Sequence, residues 1–327
     1  MQSTDLTVSY QKGSRVKLRF GIRIVLYKQS FEPIKNYVLV AEKLGFDTIW
    51  VNDHLLPIVG SLQKPMLECW TVLSALAGVT RDIRLGSLVL NNTFRYPQLI
   101  AKMASTLDVV SNGRLELGLG AGWFKQEHEM FGLPFRKHST RIEMLAEAIQ
   151  LIKSLWKNRR TNFKGEFYHA NNAICLPRPL QKPHPPILVG GYSESLLDLV
   201  ARYADKANFI LLSSKKFAER ACILKENCRR IGRDYSKITK SFFGEAMVVR
   251  SEGEAQEQIK RRLKERRMPV KQAMQYAQKC IIGTPEMCVG RIMDYKKAGA
   301  QEFMLVIPAL DAKQIRIFAD SVISCIS

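Results

Sequence analysis

The stretch RLGSLVLNNTFRYPQLIAKMASTLDVVSNGRLELGLGAGWFKQEHEMF, residues 84–131, decides the fold. Two apolar runs, Leu85 to Leu90 and Leu115 to Leu119, are short enough to be buried strands and are bounded by Gly or Asn. Between them Leu99, Met103, Thr106, Leu107 and Val110 recur at helical spacing and predict an amphipathic helix with these residues on one face. Ser111-Asn112-Gly113 supplies the left-handed stop before the second strand. A strand-helix-strand unit of this kind makes its strands parallel neighbours. Their C-terminal ends, at Asn91-Asn92 and at Gly118 to Trp123, then open on the same side of the sheet.

The same alternation continues in both directions. Upstream, the pattern predicts a strand over Arg19 to Val25, a helix over Pro33 to Leu44 with Ile34, Val38, Ala41 and Leu44 on one face, and a strand over Phe46 to Val51. Asn52-Asp53-His54 follows that second strand directly, and a helix over Met66 to Val79 leads to the third strand, Ile83 to Leu90. Downstream, Lys125 to Ser139 is a polar, aromatic insertion, followed by a helix over Arg141 to Trp156 opened by a Thr140-x-x-Glu143 capping box. Thr161 to Pro186, rich in Pro, Asn and aromatic residues, is a second insertion with a small hairpin. It delivers the chain to a fifth strand, Ile187 to Val189, ending in Gly190-Gly191. Helix Glu194 to Tyr203, strand Ala207 to Leu212, helix Lys216 to Ile231 and strand Ser241 to Val249 resume the pattern. Thr284-Pro285 caps the last helical segment before strand Glu302 to Ile307, and a helix over Ala312 to Ile323 closes the chain.

Eight strand-helix units without a linker predict one α/β domain over residues 19–327, a (β/α)8 TIM barrel with insertions after strand four and before strand five. An open doubly wound sheet would more often stop at five or six strands. Residues 1–18 are expected to form a flexible basic tail. With 327 residues and 46% hydrophobic content the composition is that of a soluble globular protein, and no apolar run approaches the roughly 18 residues of a membrane span. The N-terminus lacks an apolar signal-peptide core, so a cytoplasmic location is expected.

Seven cysteines without a C-x-x-C pair and five histidines without ligand spacing argue against a disulfide framework and a metal site. The net charge of +20 is the compositional outlier. Its most basic run, residues 259–271, is interrupted by glutamate and has no interleaved aromatics, which predicts a solvated helix face, not a nucleic-acid site. A surface this basic still attracts anionic ligands.

In a barrel of this kind the site lies at the C-terminal ends of the strands. That rule selects Asp53 and His54 after strand two, Asn91 and Asn92 after strand three, Gly120, Ala121, Gly122 and Trp123 after strand four, Gly190 and Gly191 after strand five, and Ser213 to Lys216 after strand six. The glycines allow a flat ring to lie against bare backbone, with Trp123 as a wall. Gly190-Gly191 before a helix start suits a phosphate, and serves nearly as well as a plain tight turn.

These residues resemble a known family. FRYPQLIAKMASTLDVVSNGRLELGLGAGWFKQEHEMFG, WVNDH at 50–54 and PPILVGGYSESLLDLVARYADKAN at 185–208 are similar to the bacterial-luciferase-like oxidoreductases, and more narrowly to the branch using the deazaflavin coenzyme F420. The resemblance implies a barrel, usually dimeric, binding a flavin-like ring at its mouth. It implies His54 as the proton donor beside Asp53, and Leu88 and Val89 as a bulge, commonly a non-prolyl cis peptide, that backs the ring. Asn91 matches a cofactor contact, and Gly190 and Gly191 the phosphate-binding turn. The sugar-phosphate dehydrogenases of the family carry a catalytic Glu where this chain has Trp123, which speaks against such a substrate and leaves Glu127 or His128 as acid-base partners.

The leading expectation is hydride transfer between coenzyme F420 and a small organic substrate in a homodimer, with no nucleic acid or membrane partner. The alternative is an FMN-dependent monooxygenase using reduced flavin and oxygen. A third, non-catalytic reading is a flavin-binding protein or basic scaffold. Lys215 and Lys216, at a strand end, are placed to meet the anionic tail of F420.

Overall fold

The computed structural model describes residues 17–266 and 268–326, so the expected basic tail lies outside the described residues except for Lys17 and Leu18, and Leu18 is buried in the core. Eight parallel strand positions form the barrel. They are β1 (Arg19–Ile24), β2 (Thr48–Val51), β3 (Arg84–Ser87) continued by β4 (Leu90–Asn91), β5 (Leu115–Gly120), β8 (Ile187–Gly190), β9 (Lys206–Ile210), β10 (Thr239–Val248) and β12 (Glu302–Val306). β1 pairs with β2 and β12, and β9 pairs with β8 and β10, which in turn pairs with β12, so the sheet closes on itself. The expected (β/α)8 barrel is the observed fold.

Helices α1 (Phe31–Lys43), α2 (Cys69–Val79), α3 (Pro97–Val110), α5 (His138–Lys157), α6 (Glu194–Tyr203), α7 (Ser214–Arg230), α10 (Pro285–Lys297) and α11 (Ala312–Phe318) cover the outside. Short helix α4 (Lys125–Met130) and the antiparallel hairpin of β6 (Thr161–Lys164) and β7 (His169–Ala173) occupy the two expected insertions. α8 (Glu252–Glu265), α9 (Ala273–Ala277) and β11 (Ile281–Gly283) form a third excursion that the sequence pattern did not reveal. It hangs on the C-terminal part of β10, through Ala246–Val248 paired with β11, and has its own cluster of Val249, Ala255, Ile259, Leu263, Tyr276, Cys280 and Ile282.

The alternation of strands divides the side chains between two cores. Phe20, Ile22, Ile24, Ile49 and Val51 face the helices. Trp50, Leu188 and Met304 fill the interior, with Leu88, Val89 and Phe243 against them. Trp50 fits because its neighbours are glycines: a Cβ on Gly21 would stand 2.7 Å from the indole nitrogen, and one on Gly86 would stand 2.3 Å from ring carbons. Beneath that layer Glu116 is salt-bridged to Arg19, Arg84 and Lys206, and Lys206 also reaches Glu302 at 2.9 Å. Glu116, Lys206 and Glu302, buried, with the half-buried Arg19 and Arg84 at the rim, stopper the N-terminal end of the barrel, each charge compensated by another.

Four local expectations are corrected. On α3 the buried face is Ile100, Ala101, Ala104, Leu107 and Asp108, while Leu99 and Val110 are more than half exposed. Leu107 and Met103 of the predicted stripe do pack on the core, but the rest of the face turns to Ile100, Ala101 and Ala104, whose small alanines let this helix pack closely, with the Trp156 indole donating to the Ala101 carbonyl at 2.9 Å. α5 begins at His138 with no side-chain cap, so Thr140 lies inside the helix and no capping box forms. α2 begins at Cys69 rather than Met66, capped by Glu68, whose carboxylate accepts from Trp70 N and Thr71 N. The basic run at 259–271 is not merely a solvated face: Ile259 and Leu263 are buried, and Arg262 and Arg266 turn onto the buried Glu245. The capping assigned to Thr284 is present, accepting from Met287 N with Pro285 opening the helix, and Asn112 and Gly113 take left-handed conformations after α3.

Candidate active site

The third strand does not run unbroken to Leu90. It stops at Ser87, passes through a cis peptide between Leu88 and Val89, and resumes as β4. Val89 then fills the space that the glycines of neighbouring strands leave open. A Cβ on Gly120 would stand 2.5 Å from Val89 Cγ2, one on Gly190 3.1 Å from Cγ1, and one on Gly118 2.0 Å from the Ser87 carbonyl oxygen. The glycines thus first accommodate the bulge. Gly122, in a left-handed conformation at φ +77°, does the same for Asn91, whose Oδ1 would lie 2.5 Å from its Cβ.

Asp53 and Asn91 are joined. The Asp53 carboxylate is buried at 3% exposure, accepts from Asn91 N at 2.9 Å, and takes a two-pronged contact from Arg95 Nη1 and Nη2 at 2.8 and 3.1 Å. Arg95 also donates to Glu68 at 2.6 Å, so one guanidinium fastens the β2 end to the start of α2. Burial pushes the Asp53 carboxyl above its usual range despite Arg95 and Asn91. Burial opposes the charge on Arg95 as well, but Asp53 and Glu68 outweigh it and raise the guanidinium.

His54 points elsewhere. Its Nδ1 lies 3.1 and 3.3 Å from the two carboxylate oxygens of Glu127, and Glu127 also accepts from Leu55 N at 3.0 Å. Glu127 is wholly buried, which α4 achieves by turning it and His128 inward. A carboxylate can only accept, so the neutral His54 ring places its proton on Nδ1 and leaves Nε2 for another partner. Trp123 stands edge-on to His54, ring centroids 5.8 Å apart, and is 63% exposed at the rim. His128 is linked to a different group: Nδ1 donates to the Phe124 carbonyl at 2.9 Å, and Nε2 lies 2.6 Å from Thr93 Oγ1. Asn91 Oδ1 receives the Thr93 hydroxyl at 2.6 Å.

The structure therefore brings Asp53, Leu88, Val89, Asn91, Gly120, Gly122 and Gly190 around the bulge, and His54 with Trp123 beside Glu127. Ala121 is buried, its carbonyl accepting from Arg141 Nε at 3.2 Å. Gly191 differs from its expected role as an open phosphate cradle: its N–H donates to the Asn208 carbonyl at 3.0 Å, and a Cβ there would meet Leu196 at 2.5 Å. Ser213 caps α7 by accepting from Lys216 N, and among the described residues it makes no hydrogen bond to another candidate. Arg95 and Glu68 went unassigned in the sequence. The only signal was a single arginine between Asn91 and the helix start, and its partners come from distant stretches. All seven cysteines are free thiols, and among the described residues no three His, Cys, Asp or Glu side chains are grouped to hold a metal ion. Among the same residues no helix is long and apolar enough to cross a membrane.

Comparison with known proteins agrees with this geometry. The chain is 36% identical over 199 residues to an F420-dependent glucose-6-phosphate dehydrogenase of Amycolatopsis mediterranei (strain U-32), covering 58% of this chain and 57% of the relative. It is 34% identical over 219 residues to the pyrimidine monooxygenase RutA of Variovorax paradoxus (strain S110), covering 63% and 57%. The chain thus matches little more than half the length of these curated relatives. Among solved structures, an F420-dependent secondary alcohol dehydrogenase in complex with an F420-acetone adduct superposes with a TM-score of 0.80 at 21% identity, covering 94% of this chain and 98% of that one. At that identity the likeness establishes the fold. The family model for luciferase-like monooxygenases matches residues 16–302, from ahead of β1 to the first residue of β12. Because that match takes in the bulge, both glycine-rich strand ends and the Asp53-His54 pair, the chain belongs to the luciferase-like monooxygenase family.

Proposed function

We propose that this protein is an oxidoreductase transferring a hydride between coenzyme F420 and a small organic substrate, with His54 handling the proton. The observation that carries the reading is the His54–Glu127 pair. A buried carboxylate fixes the ring's tautomer, and the other nitrogen is left at the strand-end mouth beside an exposed tryptophan. That is what a proton donor or acceptor for a bound substrate requires.

The residues present fit a flavin-like ring. Asn52 Oδ1, at the end of β2, is buried without a hydrogen-bond partner, and a ring N–H would satisfy it. Val89, braced by Gly118, Gly120 and Gly190, gives such a ring an apolar backing. When bound, the deazaflavin supplies two electrons as hydride, because carbon replaces the reacting ring nitrogen of a flavin. The chain's own groups do the rest. Glu127 holds the His54 proton on Nδ1, Nε2 exchanges a proton with the substrate, and Arg95 keeps Asp53 and the Asn91 backbone in place. Lys215 and Lys216, exposed at the start of α7, together with the overall charge of +20, favour an anionic cofactor tail. Trp123, where the family's sugar-phosphate dehydrogenases carry a glutamate, supports a substrate other than a sugar phosphate. The exposed Leu99 and Val110 on α3 support a homodimer, which sedimentation tests.

Parallel titration of the purified protein with F420 and FMN, read by tryptophan fluorescence at moderate salt, tests the proposal. Tight F420 binding with weak FMN binding is expected. The reverse would overturn it in favour of oxygen activation by reduced flavin, the chemistry for which oxygen uptake is the assay.

A further inference from the structure

β1 sets Arg23 in register with Trp50, whose indole lies in the barrel interior, so the strand alternation points Arg23 inward as well. It stands two residues above Gly21, on the mouth side of the Trp50 layer. Its guanidinium lies over the Phe243 ring, 5.8 Å from the centroid, and among the described residues it makes no hydrogen bond and no ion pair. This sets it apart from the other barrel cations. Arg19, Arg84 and Lys206 are all paired with Glu116.

The carboxylate nearest in the mouth is already committed. Glu245 is buried, and its Oε2 takes Arg262 Nη1 at 2.7 Å while its Oε1 takes Arg266 and the Tyr276 hydroxyl, the latter at 2.8 Å. Two arginines therefore occupy that carboxylate, and Arg23 is left without one. Burial, reinforced by the Arg266 charge and offset only in part by Tyr27 and Glu245, pushes the Arg23 guanidinium down to about 10. A partly buried cation without a counter-charge has lost some of its hydration, and an oxyanion arriving from solvent replaces what it lost.

We propose that Arg23, with Arg266 at the lip, forms a subsite for the carboxylate or phosphate of an acidic substrate. The proposal deepens the reading of the barrel mouth as the reaction site and rests on it for the word substrate. A guanidinium backed by an aromatic face keeps its N–H edge free for a planar, forked contact with an oxyanion. β1 and β2 are adjacent, and Arg23 is in register with Trp50, four residues before His54 on the neighbouring strand, so both residues belong to the same side of the barrel wall. The subsite is distinct from Lys215 and Lys216, proposed above for the cofactor's tail: they follow β9, which around the closed sheet is three strands from β1. An anion at Arg23 is therefore not the cofactor's tail.

The test titrates inorganic phosphate and, separately, benzoate into the wild type, Arg23→Gln and Arg23→Lys without cofactor, at ionic strength held constant with chloride. Calorimetry and the rise in Tm are both read, and each protein is also titrated with F420 and FMN. The wild type should bind at least one of the two oxyanions saturably, and the stronger arm identifies carboxylate or phosphate as the class. Arg23→Gln should weaken that binding tenfold or more, Arg23→Lys should fall between, and cofactor affinity should stay within about threefold of wild type. Saturable binding of neither oxyanion by the wild type, or equal oxyanion affinity in Arg23→Gln, would overturn the subsite. If Arg23→Gln does not fold, an unchanged oxyanion affinity in Arg23→Lys overturns it, because a point charge cannot replace the fork. Arg23-dependent oxyanion binding in a protein that binds neither cofactor would leave the subsite standing and remove the proposed function instead.

Discussion

Glu127→Gln is the sharpest perturbation of the proposed proton path, because it changes one atom and no volume. The carboxylate accepts from two donors, Leu55 N at 3.0 Å and His54 Nδ1 at 3.1 Å, and a carboxamide can accept on only one side. The backbone N–H of Leu55 cannot move its proton, and leaving it unsatisfied would cost about 1–3 kcal/mol, so the amide oxygen turns to Leu55. The amide NH2 then faces His54 Nδ1, which must become an acceptor, and the ring proton moves to Nε2. Fold stability should change by about 1 kcal/mol, since both contacts survive in altered form. Turnover should fall by about a hundredfold to ten-thousandfold, the usual contribution of a positioned acid-base group. Cofactor affinity should stay within about threefold, because Glu127 touches His54 and Leu55 rather than the bulge. Nitrogen-15 NMR of the imidazole reads the tautomer without any substrate: the wild type should show a protonated Nδ1 and Glu127→Gln a protonated Nε2. A wild-type His54 carrying its proton on Nε2, or a variant with full turnover, would refute the reasoning.

Arg95→Leu strips Asp53 of its ion pair and should cost about 3–5 kcal/mol in denaturant unfolding, with Asp53→Asn in the same background recovering part of the loss. Gly120→Ala drives a Cβ to 2.5 Å from Val89 Cγ2 and should cost about 1–3 kcal/mol; Val89→Ala removes the clashing methyl and should restore Tm, whereas an unrescued double variant would show that the strain lies elsewhere. Glu42 accepts from the N–H groups of Arg81, Asp82 and Ile83 at 2.8–3.0 Å, and although burial pulls the other way these donors hold it below its usual 4.5. A depressed carboxylate stabilises fully above its unfolded value and less as pH falls through the folded one, so the Tm gap between wild type and Glu42→Gln should be widest near neutral pH and close below about pH 4.5. A gap that holds constant into acid would rule out that linkage.

The barrel was legible because its strands are continuous apolar runs punctuated by turn residues, a pattern that depends on neighbours in the sequence. Asp53 and His54 were found by the same logic, as polar residues directly after an apolar strand. What escaped detection depends on residues far apart in the chain. Arg95 meets Asp53 across 42 positions and Glu127 meets His54 across 73, and no local spacing reports such pairs. The face of α3 was misplaced because hydrophobicity alone favoured the larger Leu99 and Val110 over the small Ala101 and Ala104 that pack inward. The excursion carrying α8 was hidden by its charge, since the arginines that turn onto Glu245 share a helix with others that face water.

The ionic stopper formed by Arg19, Arg84, Glu116, Lys206 and Glu302 gives the molecule a direction. With that end sealed by paired charges and the Trp50, Leu188 and Met304 layer packed above it, nothing can pass through the barrel. Whatever enters must leave by the way it came. On the proposed function, reactants taken up through this single doorway would have to queue, and a ring backed by Val89 would be the first in and the last out.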